Sequence, residues 1–470
     1  MGVEDIEDVA VSLSTNSPAN QRQPSVQLKR RGKGGRKSSE EEEEETTSTQ
    51  KSFLPGNATV YLRTWGCSHN GSDGEYMAGL LSAAGYRVQA KKEGADLWLL
   101  NSCTVKTPSE TAIHNQLKEA SDQEVPVVVA GCVPQAAPST PWLAGQSLLG
   151  VQQIDRVVEV VEATLQGNSV RLLAPKRPAG GGKRLAGASL SLPKVRRNPL
   201  VEILSARGDL TSYPVEELVE RARQSFADGV KELWLASDDL GAYGRDIGHT
   251  LPDLIFRLVE VIPADCRMRL GMTNPPYILD HLPVIAQILN HPRVYSFLHI
   301  PVQAGSDAVL LDMRREYSVA EFCRVVDYMR SNVAGVYLAT DVICGFPTET
   351  ALDFQGTLDL VQRYRFPSLF INQYYPRPGT PAARLKRIDT VEVKRRTKAI
   401  SDLFASYSRY EGAGGRLVEV LVTETAADGA SLVGHTKAYE QALSSDAASQ
   451  APGSSACGDS RFGEIGQGCG

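Results

Sequence analysis

The sequence has no apolar stretch long enough to cross a membrane. Nowhere in its 470 residues do 18 uncharged apolar residues follow one another, whereas a spanning helix needs about 20. It also lacks a basic and then apolar leader. The N-terminus MGVEDIEDVAVSLS is acidic and polar, so neither a secretory signal nor a transit peptide is expected. Charge of one sign is not in excess either: 50 Lys and Arg oppose 55 Asp and Glu, a net charge of -5. A wholesale nucleic-acid binder and an acidic tail protein are both excluded, so any polyanion contact must be local. Cysteine is sparse, eight in all and widely scattered. That rules out a disulfide scaffold and points to thiols or metal ligands in a reducing compartment, hence a cytoplasmic location.

What is present is an ordinary globular composition, 42% hydrophobic, in a chain long enough for two or three domains. Residues 1–52 are charged and of low complexity, with six glutamates from Glu40 to Glu45 after a basic group. Such a segment buries too little apolar area to offset chain entropy, and disorder is expected there. From Val60, apolar runs alternate with helical spacing. TVYLRTWGC, ADLWLLNSC and VPVVVAGC each read as a strand ending in a small residue and a cysteine, with helical patterns between them. This predicts a parallel α/β sandwich over 58–167. Residues 168–197 hold eight Lys and Arg from Arg171 onward and no acid, a basic linker able to engage a phosphate backbone. Over 198–388, six strand and helix units in a row predict a partial (β/α)6 barrel. A polar helix and a truncated β domain of about two strands follow over 389–443, and 444–470 reads as a disordered tail.

Cys67, Cys103 and Cys132 are too far apart in sequence for a local zinc knuckle. Each, however, follows a strand of one predicted parallel sheet, and the loops after such strands gather on one rim. Three thiolates there suit an iron–sulfur cluster with one iron open. A Cys3His zinc site with His69 or His114 is the rival.

The stretches RTWGCSHNGSDGEYMAGLLSAAGY, LWLLNSCTVKTPSE, VAGCVPQ, MRLGMTNPPYIL, FLHIPVQAGSDAVLLDMRREY, TDVICGFPTET and INQYYPRPGTPAA resemble the methylthiotransferases of transfer RNA. They are most similar to the eukaryotic and archaeal branch that acts on N6-threonylcarbamoyladenosine at position 37, beside the anticodon. The resemblance covers about residues 58–440. It implies a methylthiotransferase domain, a radical S-adenosylmethionine (SAM) partial barrel and a small β domain that grips tRNA. Two [4Fe-4S] clusters are implied, the first on positions matching Cys67, Cys103 and Cys132. The target is an unactivated C–H bond, so a cofactor must supply the radical. SAM is implied on the barrel rim at Ser237, Asp238, Asp239, Gln303, Ser306 and Arg315. The anticodon loop is expected on Tyr375, Arg377, Lys386 and Arg387, where aromatics and cations stand together. A monomer is expected, and neither the electron donor nor the sulfur source is indicated.

One feature departs from the family pattern. The second cluster is implied to sit on C-x3-C-x2-C after the first barrel strand, and no such spacing occurs in this chain. VEILS runs directly into ARGDLTSYP, so the join at Ser205 and Ala206 marks a missing cysteine-bearing loop. As it stands the chain is expected to lack ligands for the SAM-cleaving cluster. The intact remainder favours a lost segment over a non-catalytic homologue that drifted.

Overall fold

The computed structural model describes residues 56–104, 107–174, 189–208, 211–377, 380–407, 417–426 and 431–444, and the strands Lys29–Arg30 and Ser455–Asp459. The chain divides into two compact units, one ending at Arg197 and the other beginning at Asn198.

The first unit is a parallel α/β sheet. Its strands are β1 (Thr59–Thr64), β2 (Arg87–Gln89), β3 (Leu97–Ser102), β4 (Val127–Gly131), β5 (Ser147–Leu149) and β6 (Arg171–Leu172), hydrogen-bonded in the order β2-β1-β3-β4-β5-β6. The helices are α1 (Ser68–Ala83), α2 (Thr107–Asp122), α3 (Cys132–Ala136) and α4 (Val157–Leu165). Strands β3 and β4 are buried at every position, as expected for central parallel strands covered on both faces. On one face Trp98, Leu100, Ile113, Val127, Val129 and Leu148 form the core, with Tyr61 edge-on to Trp98 at 5.5 Å.

The expected boundary at Gly167 falls short, because β6 adds a sixth strand and Lys29–Arg30 pair antiparallel with Asn168–Ser169. The end of the expected free linker is also not free. Lys194 has a fully buried side chain, 3.2 Å from Glu75, 3.1 Å from Ser72 Oγ and over the Tyr76 ring. A buried ammonium needs such a carboxylate, and Lys194 therefore offers nothing to a phosphate. Residues 175–188 of the linker lie outside the described residues, as does the rest of the segment before Phe53.

In the second unit six parallel strands follow in sequence order: β7 (Val201–Ser205), β8 (Glu232–Ala236), β9 (Arg267–Leu270), β10 (Phe297–His299), β11 (Tyr337–Cys344) and β12 (Ser368–Gln373). Pairing runs β7-β8-β9 and β10-β11-β12, and bridges Met268↔Val294 and Met272↔His299 join the two sets into one open barrel wall. The expected (β/α)6 barrel is the fold observed. Helices α5 (Val215–Ala227), α6 (Leu251–Val261), α7 (Leu282–Asn290), α8 (Asp307–Asp312), α9 (Val319–Asn332) and α10 (Ala351–Tyr364) cover the outer face. Three of them start at capping boxes written in the sequence, Thr250 with Asp253, Ser318 with Glu321 and Thr350 with Asp353. Leu233, Leu235, Met268, Leu270, Leu298 and Leu338 are buried and form the face toward the helices. Residues alternating with them in sequence turn the other way.

Helix α11 (Thr390–Ala405) leads to an antiparallel sheet of β13 (Leu417–Thr425), β14 (Leu432–Thr436), β15 (Gln441–Ser444) and β16 (Ser455–Asp459), in the order β15-β14-β13-β16. The sequence suggests about two strands and a disordered tail; the fold has four. Strand β16 comes from within the tail and pairs with the otherwise open edge of β13.

The turn after β14 plugs the floor of the barrel. Lys437 Nζ donates to Leu289 O at 2.7 Å, to Val294 O and to Ser296 Oγ. The Tyr439 ring packs against Tyr295 and Phe297 at 4.8 and 5.0 Å. His435 Nδ1 stands 3.5 Å from the buried Glu232, an ion-pair distance. Burial alone would raise the Glu232 pKa, but His435, Trp234 and Arg269 hold it below its usual value.

Candidate metal centre and barrel rim

Three strand ends bring the three cysteines of the first unit to one rim. Cys67 is the N-cap of α1, Cys103 follows β3 and Cys132 opens α3 after β4. The thiols of Cys67 and Cys103 share a hydrogen bond, and Cys132 lies within electrostatic reach. Cys103 pushes the Cys67 thiol well above its usual pKa, burial adds to this, and the Asn70 N–H opposes it.

Small and amide residues make the close approach possible. Gly66 has φ 105°, and a Cβ built there would overlap the Cβ and Sγ of Cys103. Gly131, at φ 91°, leaves room for the Ser102 carbonyl and for Asn101 Oδ1 in the same way. Only glycine adopts such angles without strain. Asn70 Nδ2 donates to Trp65 O and to Ser102 O at 3.3 Å, and Asn101 Nδ2 returns a bond to Asn70 O at 2.8 Å. Ser102 Oγ receives Val133 N at 3.3 Å, tying the Cys103 loop to the start of α3. Asn70, Asn101 and Ser102 thus position the thiol loops. Sequence reasoning missed them, although all three stand within three residues of a cysteine.

The rival histidines are engaged elsewhere. His69 Nε2 is 3.9 Å from Asp73, and His114 is edge-on to Trp142 at 6.0 Å. Among the described residues no three His, Cys, Asp or Glu side chains are arranged to hold a single metal ion. A multi-iron cluster spreads its ligands more widely than one ion does. Three converging thiols with no histidine partner fit it better than zinc.

On the barrel rim, three of the residues expected for SAM are already used by the fold. Asp239 caps a short turn, with Oδ1 accepting from Gly241 N at 3.0 Å and Oδ2 from Asn274 Nδ2 at 2.7 Å. Ser237 Oγ donates to Asp239 O at 3.2 Å, and Ser306 Oγ donates to Asp353 at 2.6 Å. Asp238, next in sequence, is exposed. Gln303 sits at φ 66°, its N–H bonded to Asp341 O at 2.9 Å. Arg315 closes the turn after α8 through its N–H to Leu310 O. Further along, Tyr375 is exposed, Arg377 half-buried, and Lys386 and Arg387 exposed, on a segment that leaves the last barrel strand.

The segment after β7 carries no cysteine. Ala206 N bonds Ala236 O at 2.8 Å, and the chain reverses in a tiny hairpin of Arg207–Gly208 with Thr211–Ser212. Ser212 anchors it, its N–H and Oγ both bonded to Asp246. The other described cysteines of this unit do not converge. Cys266 precedes β9, where burial pushes its pKa up to about 12. Cys344 ends β11, its pKa likewise raised by burial to about 12. Cys323 lies on α9 against Tyr364. The residues present in the barrel therefore do not fit an iron–sulfur cluster.

Comparison with known proteins identifies the class. Residues 194–361 match the radical SAM superfamily, and residues 59–145 match an uncharacterized protein family, UPF0004. The threonylcarbamoyladenosine tRNA methylthiotransferase of Drosophila melanogaster is 57% identical over 461 residues, covering 94% of this chain and 83% of that protein. That of Homo sapiens is 57% identical over 408 residues, 83% of this chain and 70% of the relative. A probable archaeal counterpart from Methanothermobacter thermautotrophicus is 34% identical over 402 residues, 81% of this chain and 92% of the relative. The chain belongs to the threonylcarbamoyladenosine tRNA methylthiotransferases. Among solved structures, the radical SAM methyltransferase TsrM from Kitasatospora setae aligns with a TM-score of 0.48 at 12% identity, over 69% of this chain and 74% of that one. The human match spans 408 residues, more than 83% of a 470-residue chain can supply. The relative therefore carries residues that this chain lacks.

Proposed function

We propose that this chain is the polypeptide of an enzyme that methylthiolates N6-threonylcarbamoyladenosine at position 37 of tRNA. The observation that carries the reading is its identity of 57% with named methylthiotransferases along 94% of its length. That likeness disfavours a homologue long released from the chemistry.

The first unit holds one [4Fe-4S] cluster on Cys67, Cys103 and Cys132. Bound there, the cluster supplies an open iron at which sulfur is held for delivery. Gly66 and Gly131 let the thiols approach, Asn70 and Asn101 fix the loops, and the N-terminus of α1 favours the thiolate of Cys67. SAM binds the carboxyl rim of the barrel. Asp238 meets its ammonium group and Arg315 its carboxylate, while Ser237, Asp239, Gln303 and Ser306 shape the surrounding turns. Tyr375, Arg377, Lys386 and Arg387 contact the anticodon loop, the tyrosine by stacking and the cations at phosphate. The cysteine segment that belongs between Ser205 and Ala206 is needed for turnover.

The test is nucleoside mass spectrometry of tRNA from cells without this activity. They are supplied with the chain bearing a C-x3-C-x2-C loop at that join. The methylthio product is expected, and is expected to vanish when Cys67→Ser is added. Unmodified threonylcarbamoyladenosine in the loop-restored strain would refute the assignment.

A further inference from the structure

The three thiols on the rim of the first unit are not equally placed. Gly66 brings its backbone so close to Cys103 that a Cβ built on it would overlap the Cβ and Sγ of that residue, and Cys67, the next residue, shares a hydrogen bond with the Cys103 thiol. Cys132 acts on Cys67 electrostatically and more weakly. A disulfide needs Cβ atoms about 3.5–4.5 Å apart, and two thiols in hydrogen-bond contact reach that spacing by side-chain rotation. The contact is built into the scaffold, because the loops on either side are tied by amides: Asn70 Nδ2 donates to Trp65 O and Ser102 O, and Asn101 Nδ2 to Asn70 O. In the second unit, Cys266, Cys323 and Cys344 stand on or beside separate elements.

From this geometry we infer a redox gate on cluster assembly: in the metal-free chain Cys67 and Cys103 close as a disulfide, Cys132 stays a thiol, and the cluster is refused until the bond is reduced. The inference rests on the assignment of the cluster to these three cysteines. The oxidant is a small disulfide of the glutathione class. One thiolate of the pair attacks a sulfur of that molecule, a mixed disulfide forms as the small S–S bond breaks, and one small thiol leaves. The other thiolate then attacks the protein sulfur of the mixed disulfide, joining Cys67 to Cys103 and releasing the second small thiol. Two electrons pass from the protein pair to the oxidant, and the two protons leave on the two small thiols. The raised pKa of Cys67 slows the first attack but leaves the choice of partner, which contact decides, unchanged. A sulfur held in this bond offers no thiolate to iron, so the third cysteine alone cannot retain a cluster.

The experiment uses the full chain, stripped of metal by a chelator and reduced, then exposed to glutathione disulfide. Remaining thiols are alkylated, and the protein is digested without reductant for peptide mass spectrometry. A peptide pair joined through Cys67 and Cys103 is expected, with Cys132 alkylated. Iron uptake from ferrous iron and stoichiometric sulfide should fall on the order of tenfold in the oxidised chain and return after dithiothreitol. Cys132→Ala should still form the bond, whereas Cys103→Ser should leave Cys67 as a mixed disulfide with glutathione, which separates a lost partner from a lost fold. A bond to Cys132, or glutathione adducts in place of any internal bond, would overturn the inference. So would undiminished iron uptake by the chain carrying the Cys67–Cys103 bond. A reduced chain that takes up no iron, although the bond forms on oxidation, would instead strike the cluster assignment itself, and the gate with it.

Discussion

At the scale of single residues, the candidate metal centre depends more on what stands beside each cysteine than on the cysteines themselves. Gly66 combines a positive φ with a Cβ position already filled by Cys103. Alanine there would both strain the backbone and push the Cys103 loop off the rim. Gly66→Ala is expected to leave a folded chain that retains well under half of the iron bound by the native protein after anaerobic reconstitution. Cys266→Ser, at a buried thiol of the second unit, should retain all of it. Equal iron in the two variants would contradict the placement of the cluster. Part of this was legible in the sequence, because each of the three strands ends in a small residue and a cysteine. The roles of Asn70 and Asn101 were not. Their amide bonds link residues 31 or 32 positions apart, and no one-dimensional pattern distinguishes such an asparagine from a helix-surface one.

At the scale of elements, the barrel strands were legible because apolar runs mark parallel strands buried on both faces. The two- and three-residue edge strands of the first unit carry too little pattern to be seen. Least visible of all was the plug turn after β14, a polar string, HTKAYE, that enters the barrel floor. Its lysine is the element's lock. Burial lowers the Lys437 pKa to about 8, with Arg267 nearby adding to the effect. Since this folded value lies below the ordinary lysine range, the unfolded chain binds more protons between about pH 8 and 10.5. Stability contributed at this site should therefore rise with pH through that window and be lowest below it. Removing the ammonium also strands the carbonyls of Leu289 and Val294. Lys437→Met is thus expected to cost about 1–3 kcal/mol at neutral pH, read as a lower denaturation midpoint. Comparing native and variant midpoints from pH 7.5 to 10.5 isolates the titration. The gap between them is expected to widen as pH rises, and a gap that stays constant would show that the lysine does not titrate in this window.

At the scale of the whole molecule, the family resemblance and the barrel ask for different iron contents. On the function proposed above, a chain with both cysteine sets would hold two [4Fe-4S] clusters. This chain has one converging set, and its barrel strand β7 leads into a short hairpin tied to Asp246 instead of a cysteine loop. No rearrangement of the described barrel thiols repairs this, because Cys266 and Cys344 belong to opposite ends of their strands and Cys323 to a helix. Reconstitution should therefore stop at about four irons per chain. Restoring a C-x3-C-x2-C segment between Ser205 and Ala206 should raise the count to about eight. Cys67→Ser in the restored chain should remove only the first set, leaving SAM cleavage to 5'-deoxyadenosine under reduction but no sulfur transfer. The unaltered chain should show neither reaction, while still binding the anticodon stem-loop through its second unit. About eight irons in the unaltered chain would mean that ligands other than a cysteine triplet hold the second cluster, and the account of the join at Ser205 and Ala206 would have to be abandoned.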